Sequence, residues 1–484
     1  MNSRIKSFGI SAISGFLLFA GWPPINWDGV LLIAFVPLLY NSYTAPNTKQ
    51  AVLRFAQGFF IFLLLLHFDF LVRGNWTHRI WILSGLLVIP ILWSIPIAIG
   101  FLIKKRYGGY AILLFPFLYI LQEQVHYYWD FPITWFHLGY GLAPTSWLIG
   151  GYPHYGPTGG SFLTILINTV ICYGIIDYQT KKKWRLASTV FILSLLVLIG
   201  PYFLFFKGEQ EWPIRVAIFQ PSLSEIEIRN ENLDAQIDFL EDELEAQSQP
   251  NVDLIVCPEA YFCEVINNPI FVNSIEKHPA INRLIQLSMK YNAPILSGAI
   301  LVKLYRANNF PTPSSKRKEE GIYYDIINGS IFIEPTGRVS WQSKKALVPL
   351  AEAIPFRALF DGLQSVGLME KRMVDQYGIV DSKMKYEYQN INIAAPVCYE
   401  SLFPNILDKY VSTNENLMVI LSTYWTDSEI SRAGHAEFSI PDAVMYKLPV
   451  LFCTTNSESR AFNKRGKEID VAPHRLAIVE IRLQ

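Results

Sequence analysis

Apolar positions divide the chain into two halves with different periods. Seven apolar stretches crowd the first 207 residues, at about 7–22, 29–45, 52–72, 80–103, 110–128, 160–177 and 187–206. Most approach or reach the roughly 20 residues that a membrane-spanning helix needs. The fourth, IWILSGLLVIPILWSIPIAIGFLI, contains no charged residue. The first two are shorter and contain or abut prolines. The opening MNSRIKSFGISAISGFLLFAGWPP has the apolar core of a signal peptide, but no A-x-A-like cleavage site follows it, so it reads as a retained first helix. From Arg215 the pattern becomes short strands: 215–220, 252–259, 293–301, 329–335, 392–398, 417–423 and 449–455, with HRLAIVEIRLQ as a last one. Helical patterns intervene at 230–246 and 281–291, and this alternation predicts α/β layers. RANNFPTPSSKRKEEG (306–321) reads as a polar surface insertion. The expected division is therefore a bundle of about seven transmembrane helices over 1–207 and an α/β catalytic domain over 208–484.

Composition agrees with two solvents. Hydrophobic residues make up 51% of the 484 and charged residues 17%, against a usual quarter charged. The net charge of zero hides +9 in residues 1–207 and −9 in the remainder. With seven spans, one side collects Arg4, Lys6, Lys49, Arg54, Lys104, Lys105, Arg106, Lys181, Lys182, Lys183 and Arg185, while the other loops hold Arg73 and Arg79. Basic residues favour the cytoplasmic side. That orientation puts the N-terminus inside and residues after about 207 outside, in the periplasm of a Gram-negative cell. HYYWDFPITWFHLGYG (126–141) holds seven Tyr, Trp or Phe and no Lys or Arg. It reads either as an interfacial aromatic belt or as a lipid-facing entrance to a site. Asp69, Glu123 and His126 sit near outer helix ends, where ionisable groups serve either function or packing.

Three residues in the second half stand where a strand gives way to a loop, the place where a sheet fixes catalytic groups. Glu259 follows an apolar run and a proline in LIVCPEAYF. Lys344 lies in WQSKKALVPLAEAIPF, beside Lys345, which reads as a surface lysine. Cys398 ends NIAAPVC and is followed by Tyr399 and Glu400. Alone, each has an ordinary structural explanation: a solvated glutamate, a surface lysine, a buried thiol. The five cysteines leave at least one unpaired, and nothing in the sequence decides whether Cys257 and Cys263 bridge.

In this order, the three motifs resemble the nitrilase (carbon–nitrogen hydrolase) superfamily, whose members place a Glu–Lys–Cys triad in an α-β-β-α sandwich. The resemblance narrows to the apolipoprotein N-acyltransferase family, which carries membrane helices before such a domain. KKALVPLAEAIPF is similar to that family's K-x-x-L-V-P-F-G-E-x-x-P, matching Lys344 and Glu352. CYE matches its cysteine with Tyr399 and Glu400. STYW (422–425), CTTNSES and WFHLGYG resemble further family segments. Leu350-Ala351 stands where the family has Phe-Gly, and no tryptophan follows the first strand of the domain. No apolar run follows the last strand, where the family has an eighth helix, so the resemblance implies a catalytic domain anchored from one end.

The resemblance implies acyl transfer from a phospholipid to the N-terminal amine of a diacylglyceryl-cysteine apolipoprotein, through a thioester on Cys398. Glu259 would be the base and Lys344 the oxyanion partner, with Glu352, Tyr399 and Glu400 supporting them. A membrane-tethered amidase acting on a small periplasmic amide is the alternative for the same triad. The expected partners are the phospholipid, the apolipoprotein and membrane lipids, with the protein a monomer. No metal or other cofactor is expected: the eight histidines are dispersed, and no H-E-x-x-H or C-x-x-C spacing occurs. His435 reads as structural. An acidic outer half without a phosphate-binding Gly-rich loop argues against nucleic acid.

Overall fold

The computed structural model of the chain describes residues 3–483, apart from 28, 74–75, 181–183, 205–210, 223, 227–231, 248–249, 367–373, 383–384, 412–413, 424–428 and 457. The expected junction at 207/208, the loop lysines Lys181, Lys182 and Lys183, and the Tyr424-Trp425 end of STYW lie outside the described residues. Two compact units emerge. One comprises Met1–Tyr128, Ile133–Gly208 and Trp425–Met445; the other comprises Trp129–Pro132, Glu209–Tyr424 and Tyr446–Gln484.

Each apolar stretch of the first unit is helical. In chain order the helices run Ser3–Gly21, Leu31–Ala34 with Val36–Tyr43, Thr48–Leu66 with Phe68–Arg73, Trp76–Trp93 with Ile95–Tyr107, Phe115–His126, Tyr152–Thr180 and Trp184–Leu204. Among the described residues, Thr48–Leu66, Ile82–His126 and Tyr152–Ile176 are long and apolar enough to cross a membrane. Ile82–His126 is about twice the length of one crossing. It is interrupted before Pro96 and at Gly108, whose φ of 69° ends a helix carrying Lys104, Lys105 and Arg106 in its last turn. The break before Val36–Tyr43 follows from Pro37, which has no N–H to donate. Neighbouring side chains satisfy the freed groups: Asn168 accepts from Phe35 N and donates to Leu31 O, both at 2.9 Å. Ser14 Oγ accepts from Leu38 N at 2.9 Å and donates to Ala34 O at 2.6 Å. Backbone groups in an apolar surround require such partners. Glu123 and His126 serve packing here. Glu123 accepts from Leu138 N at 2.8 Å, and the His126 ring stacks on Trp93 at 4.7 Å between centroids.

Among the described residues, the second unit is built on thirteen strands: β1 Trp212–Phe219, β2 Leu254–Cys263, β3 Ile295–Arg306, β4 Lys316–Glu319, β5 Ile322–Ile333, β6 Val339–Ser343, β7 Tyr386–Tyr388, β8 Ile391–Ala394, β9 Leu417–Leu421, β10 Val450–Cys453, β11 Arg460–Phe462, β12 Glu468–Ile469 and β13 Leu476–Leu483. One sheet has the order β13-β1-β2-β3-β5-β4, with β6 also on β5; the other runs β12-β11-β10-β9-β8-β7. Inner faces meet through Val216, Ile218, Val256, Leu296 and Phe332 from the first sheet and Ile393, Val419, Leu421 and Leu451 from the second. On the far side of the first sheet, Ile237, Leu240 and Leu244 of helix Leu233–Ala246 and Ile281, Leu284 and Leu287 of helix Pro279–Tyr291 cover Ala217, Ile255, Ile295 and Ile331. Helix Pro404–Tyr410 buries Leu407 and Tyr410. The fold class is α/β, a helical bundle followed by an α-β-β-α sandwich. Each buried aliphatic side chain here contributes about 1.5–3 kcal/mol.

Several boundaries differ from the sequence expectation. β5 begins at Ile322 rather than at 329, and β8 ends at Ala394 rather than at 398. The 306–321 segment is more than an insertion: it contains β4, and the buried carboxylate of Asp325 accepts hydrogen bonds from Tyr305, Thr312 and Ser314 hydroxyls at 2.8 Å. None of the five cysteines forms a disulfide, so Cys257 and Cys263 do not bridge.

Glycine is required where β3 passes the turn that carries Glu259. A Cβ at Gly298 would lie 2.4 Å from Glu259 Cα and 2.5 Å from Ala260 N. Gly298→Ala is expected to destabilise the protein by about 1–3 kcal/mol through overpacking, read as a lower thermal midpoint of the purified protein in detergent; an unchanged midpoint would refute the close approach.

Candidate active site

Glu259 lies within β2, not after it. The register of β2 against β3 shifts between Cys257 and Phe262, and Ala260 has φ 53°. This bulge swings Glu259 out of the regular ladder, a common device for aiming a side chain. Its backbone N donates to Ser422 O at 3.2 Å. Lys344 is the first residue beyond β6, and its backbone N donates to Asn328 O on β5 at 2.9 Å. Glu352 closes a tight loop: Oε2 accepts from Val348 N at 2.7 Å, while Leu350 at the tip takes φ 69°. The Leu350-Ala351 substitution therefore leaves Glu352 turned back toward Lys344.

The side chains meet in a wholly buried cluster. Lys344 Nζ lies 3.0 Å from Glu259 Oε1 and 3.0 Å from Glu352 Oε1. Asn328 Nδ2 donates to the same two oxygens at 2.8 and 2.9 Å. Burial alone would lower the Lys344 pKa; the charges of Glu259 and Glu352 outweigh it and hold it well above the ordinary lysine value. Glu259 Oε2 has no hydrogen-bond partner among the described residues.

Cys398 stands at the start of a 3-10 turn, Cys398–Leu402. Its φ of 51° is a left-handed conformation that a non-glycine residue adopts only when its surroundings impose it. Ser422 Oγ approaches its Sγ at 3.6 Å, and Glu259, Lys344 and Glu352 are near enough to act on its charge. Burial first, then the Glu259 charge, push the thiol up; Lys344 pulls the other way and does not prevail. The group is a thiol at rest and needs a base.

Glu400 is wholly buried. It accepts from Val397 N and Lys345 N, each at 2.6 Å, and from Tyr410 hydroxyl at 2.9 Å. It thus ties the turn before Cys398 to the residue after Lys344. Lys345, expected at the surface, is half-buried, and its Nζ donates to Val380 O. Tyr399 is fully buried, and its hydroxyl donates to Pro132 O at 2.9 Å. That acceptor comes from the aromatic 126–141 stretch, where Trp129 and Phe131 also contact the Phe356 ring.

The N-terminal half matches the family model of the apolipoprotein N-acyltransferase N-terminal domain over residues 14–170. Apolipoprotein N-acyltransferase of Chlorobaculum tepidum is 23% identical over 86% of this chain and 79% of its own length. Apolipoprotein N-acyltransferase 1 of Treponema denticola is 22% identical over 96% of this chain and 87% of its own. The chain is thus similar to apolipoprotein N-acyltransferases over most of its length. Among solved structures, Saccharomyces cerevisiae Nit3, a member of branch 10 of the nitrilase superfamily, is similar at 16% identity with a TM-score of 0.40, covering 56% of this chain and 90% of that one. At that score it adds nothing to the fold assignment, which stands on the sheet order.

Three residues of this candidate site were not anticipated as such: Asn328, Tyr410 and the hydroxyl of Ser422. Asn328 is followed by glycine, and N-G is a hairpin signal, which masked a buried strand position.

Burial raises Glu400 to about 7, with its backbone and Tyr410 donors opposing the shift. An unfolded glutamate titrates near 4.3. The folded protein therefore binds the extra proton between about 4.3 and 7, and this group's stabilising contribution, complete below 4.3, is lost as pH rises through 7. The Glu400→Gln variant is expected to lack that decline. Unfolding free energies of the two proteins, measured from pH 4.5 to 8, should diverge by up to about 3 kcal/mol in total; parallel curves would contradict it.

Proposed function

We propose that this chain acylates the N-terminal amine of diacylglyceryl-cysteine apolipoproteins from a phospholipid donor, through a thioester on Cys398. The observation that carries the reading is the buried Lys344 ammonium, 3.0 Å from both Glu259 and Glu352, beside a thiol that rests protonated. Similarity to apolipoprotein N-acyltransferases supports the substrate class.

Glu259 takes the Sγ–H proton as Sγ attacks the ester carbonyl of the phospholipid. Its unpartnered Oε2 is the acceptor. Negative charge forms on the carbonyl oxygen, and Lys344 with the Tyr399 N–H stabilises it; one such donor is worth about 3–4 kcal/mol in comparable sites. The C–O bond then breaks, and Glu259 returns the proton to the departing lysophospholipid alkoxide. In the second half the neutral amine attacks the thioester carbonyl, Glu259 accepts its proton, the C–S bond breaks and Cys398 is reprotonated. Glu352 holds Lys344 in place, and Glu400 and Tyr399 fix the nucleophile turn. The thioester must outlast competing water, so an apolar surround for the acyl chain is part of the mechanism.

The chain is a membrane protein. The finer assignment proposed is a multi-pass inner-membrane monomer, with 1–207 as the transmembrane bundle and 208–484 as a periplasmic catalytic domain. The basic residues Arg4, Lys6, Lys104, Lys105 and Arg106 support this orientation, and the aromatic residues of 126–141 suit a membrane interface.

Cells lacking lipoprotein N-acylation and supplied with this gene should gain a third acyl chain on lipoprotein N-termini by mass spectrometry. The Cys398→Ser variant should leave two. Prompt ammonia release from small amides, with no lysophospholipid formed, would instead favour the amidase reading.

A further inference from the structure

We propose that Asn328 is a positioning residue of this site. Its amide aligns Glu259 and Glu352 on Lys344 and leaves a single oxygen of Glu259 to accept the thiol proton. The inference rests on the reading of Glu259 as the base for Cys398.

Four contacts define the arrangement. Lys344 Nζ and Asn328 Nδ2 each reach Glu259 Oε1 and Glu352 Oε1, at distances from 2.8 to 3.0 Å. Two donors and two acceptors alternate around a closed ring. Carboxylate oxygens only accept when ionised, so the NH₂ group, not the amide carbonyl, must face them. The two donors differ in charge. Lys344 offsets the repulsion between the carboxylates but supplies one positive charge for two negative ones. Asn328 adds a second donor to each oxygen without adding charge. A second lysine here would make the ring neutral and would pull on the oxyanion partner; a hydrophobic residue would leave each Oε1 with one donor.

The backbone makes the placement rigid. Asn328 is buried in β5, opposite Ile300 of β3. Its carbonyl accepts from Lys344 N at 2.9 Å. One residue therefore sets both the entry of the lysine into the site and the spacing of the carboxylates it meets. With Oε1 of Glu259 committed to the ring, Oε2 remains without a partner among the described residues and is the oxygen able to receive the Sγ proton. Loss of the amide would let Glu259 rotate and share its proton affinity between two oxygens.

The test uses the full-length protein in detergent with phosphatidylethanolamine, measuring single-turnover acylation of Cys398 against pH for wild type, Asn328→Leu and Asn328→Asp. Asn328→Leu removes the donor; Asn328→Asp keeps the shape and adds a third carboxyl. We expect both to slow acylation about 10- to 100-fold, with half-saturating lipid within twofold of wild type. The acidic limb of the profile should move to higher pH, further for Asp than for Leu, because each change leaves the base less able to give up its proton. Slow acylation with an unmoved limb, or loss that tracks the thermal midpoint, would overturn the proposal. If Asn328→Asp does not fold, the limb of Asn328→Leu decides alone. If wild type takes no acyl group from lipid but cleaves a small amide, the substrate reading has failed, and the same limb shift measured on that amide still decides the role of Asn328.

Discussion

One buried ammonium shared by two carboxylates sets the terms for the rest of the catalytic unit. Lys344 is 1% exposed, and charges removed from water cost several kcal/mol each unless their partners are close and well aligned. Here both partners lie at 3.0 Å. Meeting that condition requires three distant segments to converge: a bulge in β2, the residue after β6, and a loop folded back on itself. Each is held by backbone bonds, so the site cannot relax without breaking sheet or loop structure. An arrangement this costly is weak evidence for stability and better explained by chemistry.

The same cluster governs the proposed nucleophile, Cys398. A lysine beside a cysteine can lower a thiol's pKa enough to ionise it. Here burial disfavours the thiolate first, Glu259 and Glu352 already claim that lysine, and Cys398 feels a site whose carboxylates outnumber its ammonium. The thiol therefore stays protonated until attack, which matches a transferase: a standing thiolate would react with whatever electrophile arrived first. In the proposed reaction, once a carbonyl oxygen begins to carry negative charge, Lys344 has a further partner it lacked in the resting state. Preorganised charge that is used only as the reaction proceeds is the kind that lowers a barrier.

Much of this was legible because it is written in local pattern. Apolar runs of helical length located the helices of the first unit, and short runs such as LMVILST located the core strands. Glu259, Lys344 and Cys398 were visible as polar residues at the ends of such runs. What escaped depended on pairing between distant segments. The β2 bulge exists only against β3. Asn328 carries a turn signal, N-G, that the sheet overrides because β5 is paired on both sides. The breaks at Pro37 and Pro96 blurred helix limits, since groups freed near them are satisfied by Asn168, more than a hundred positions away, and by Gln122, which donates to Leu92 O. Likewise, nothing local tells that Pro132 would bond Tyr399.

The most direct measurement of the central claim is peptide mass mapping of the purified protein after incubation with phospholipid and no acceptor. The account predicts one hydroxylamine-labile acyl group, on the peptide carrying Cys398, absent when Glu259 is replaced by glutamine. Lysophospholipid released with Cys398 unmodified, or an acyl group held on a different side chain, would contradict it.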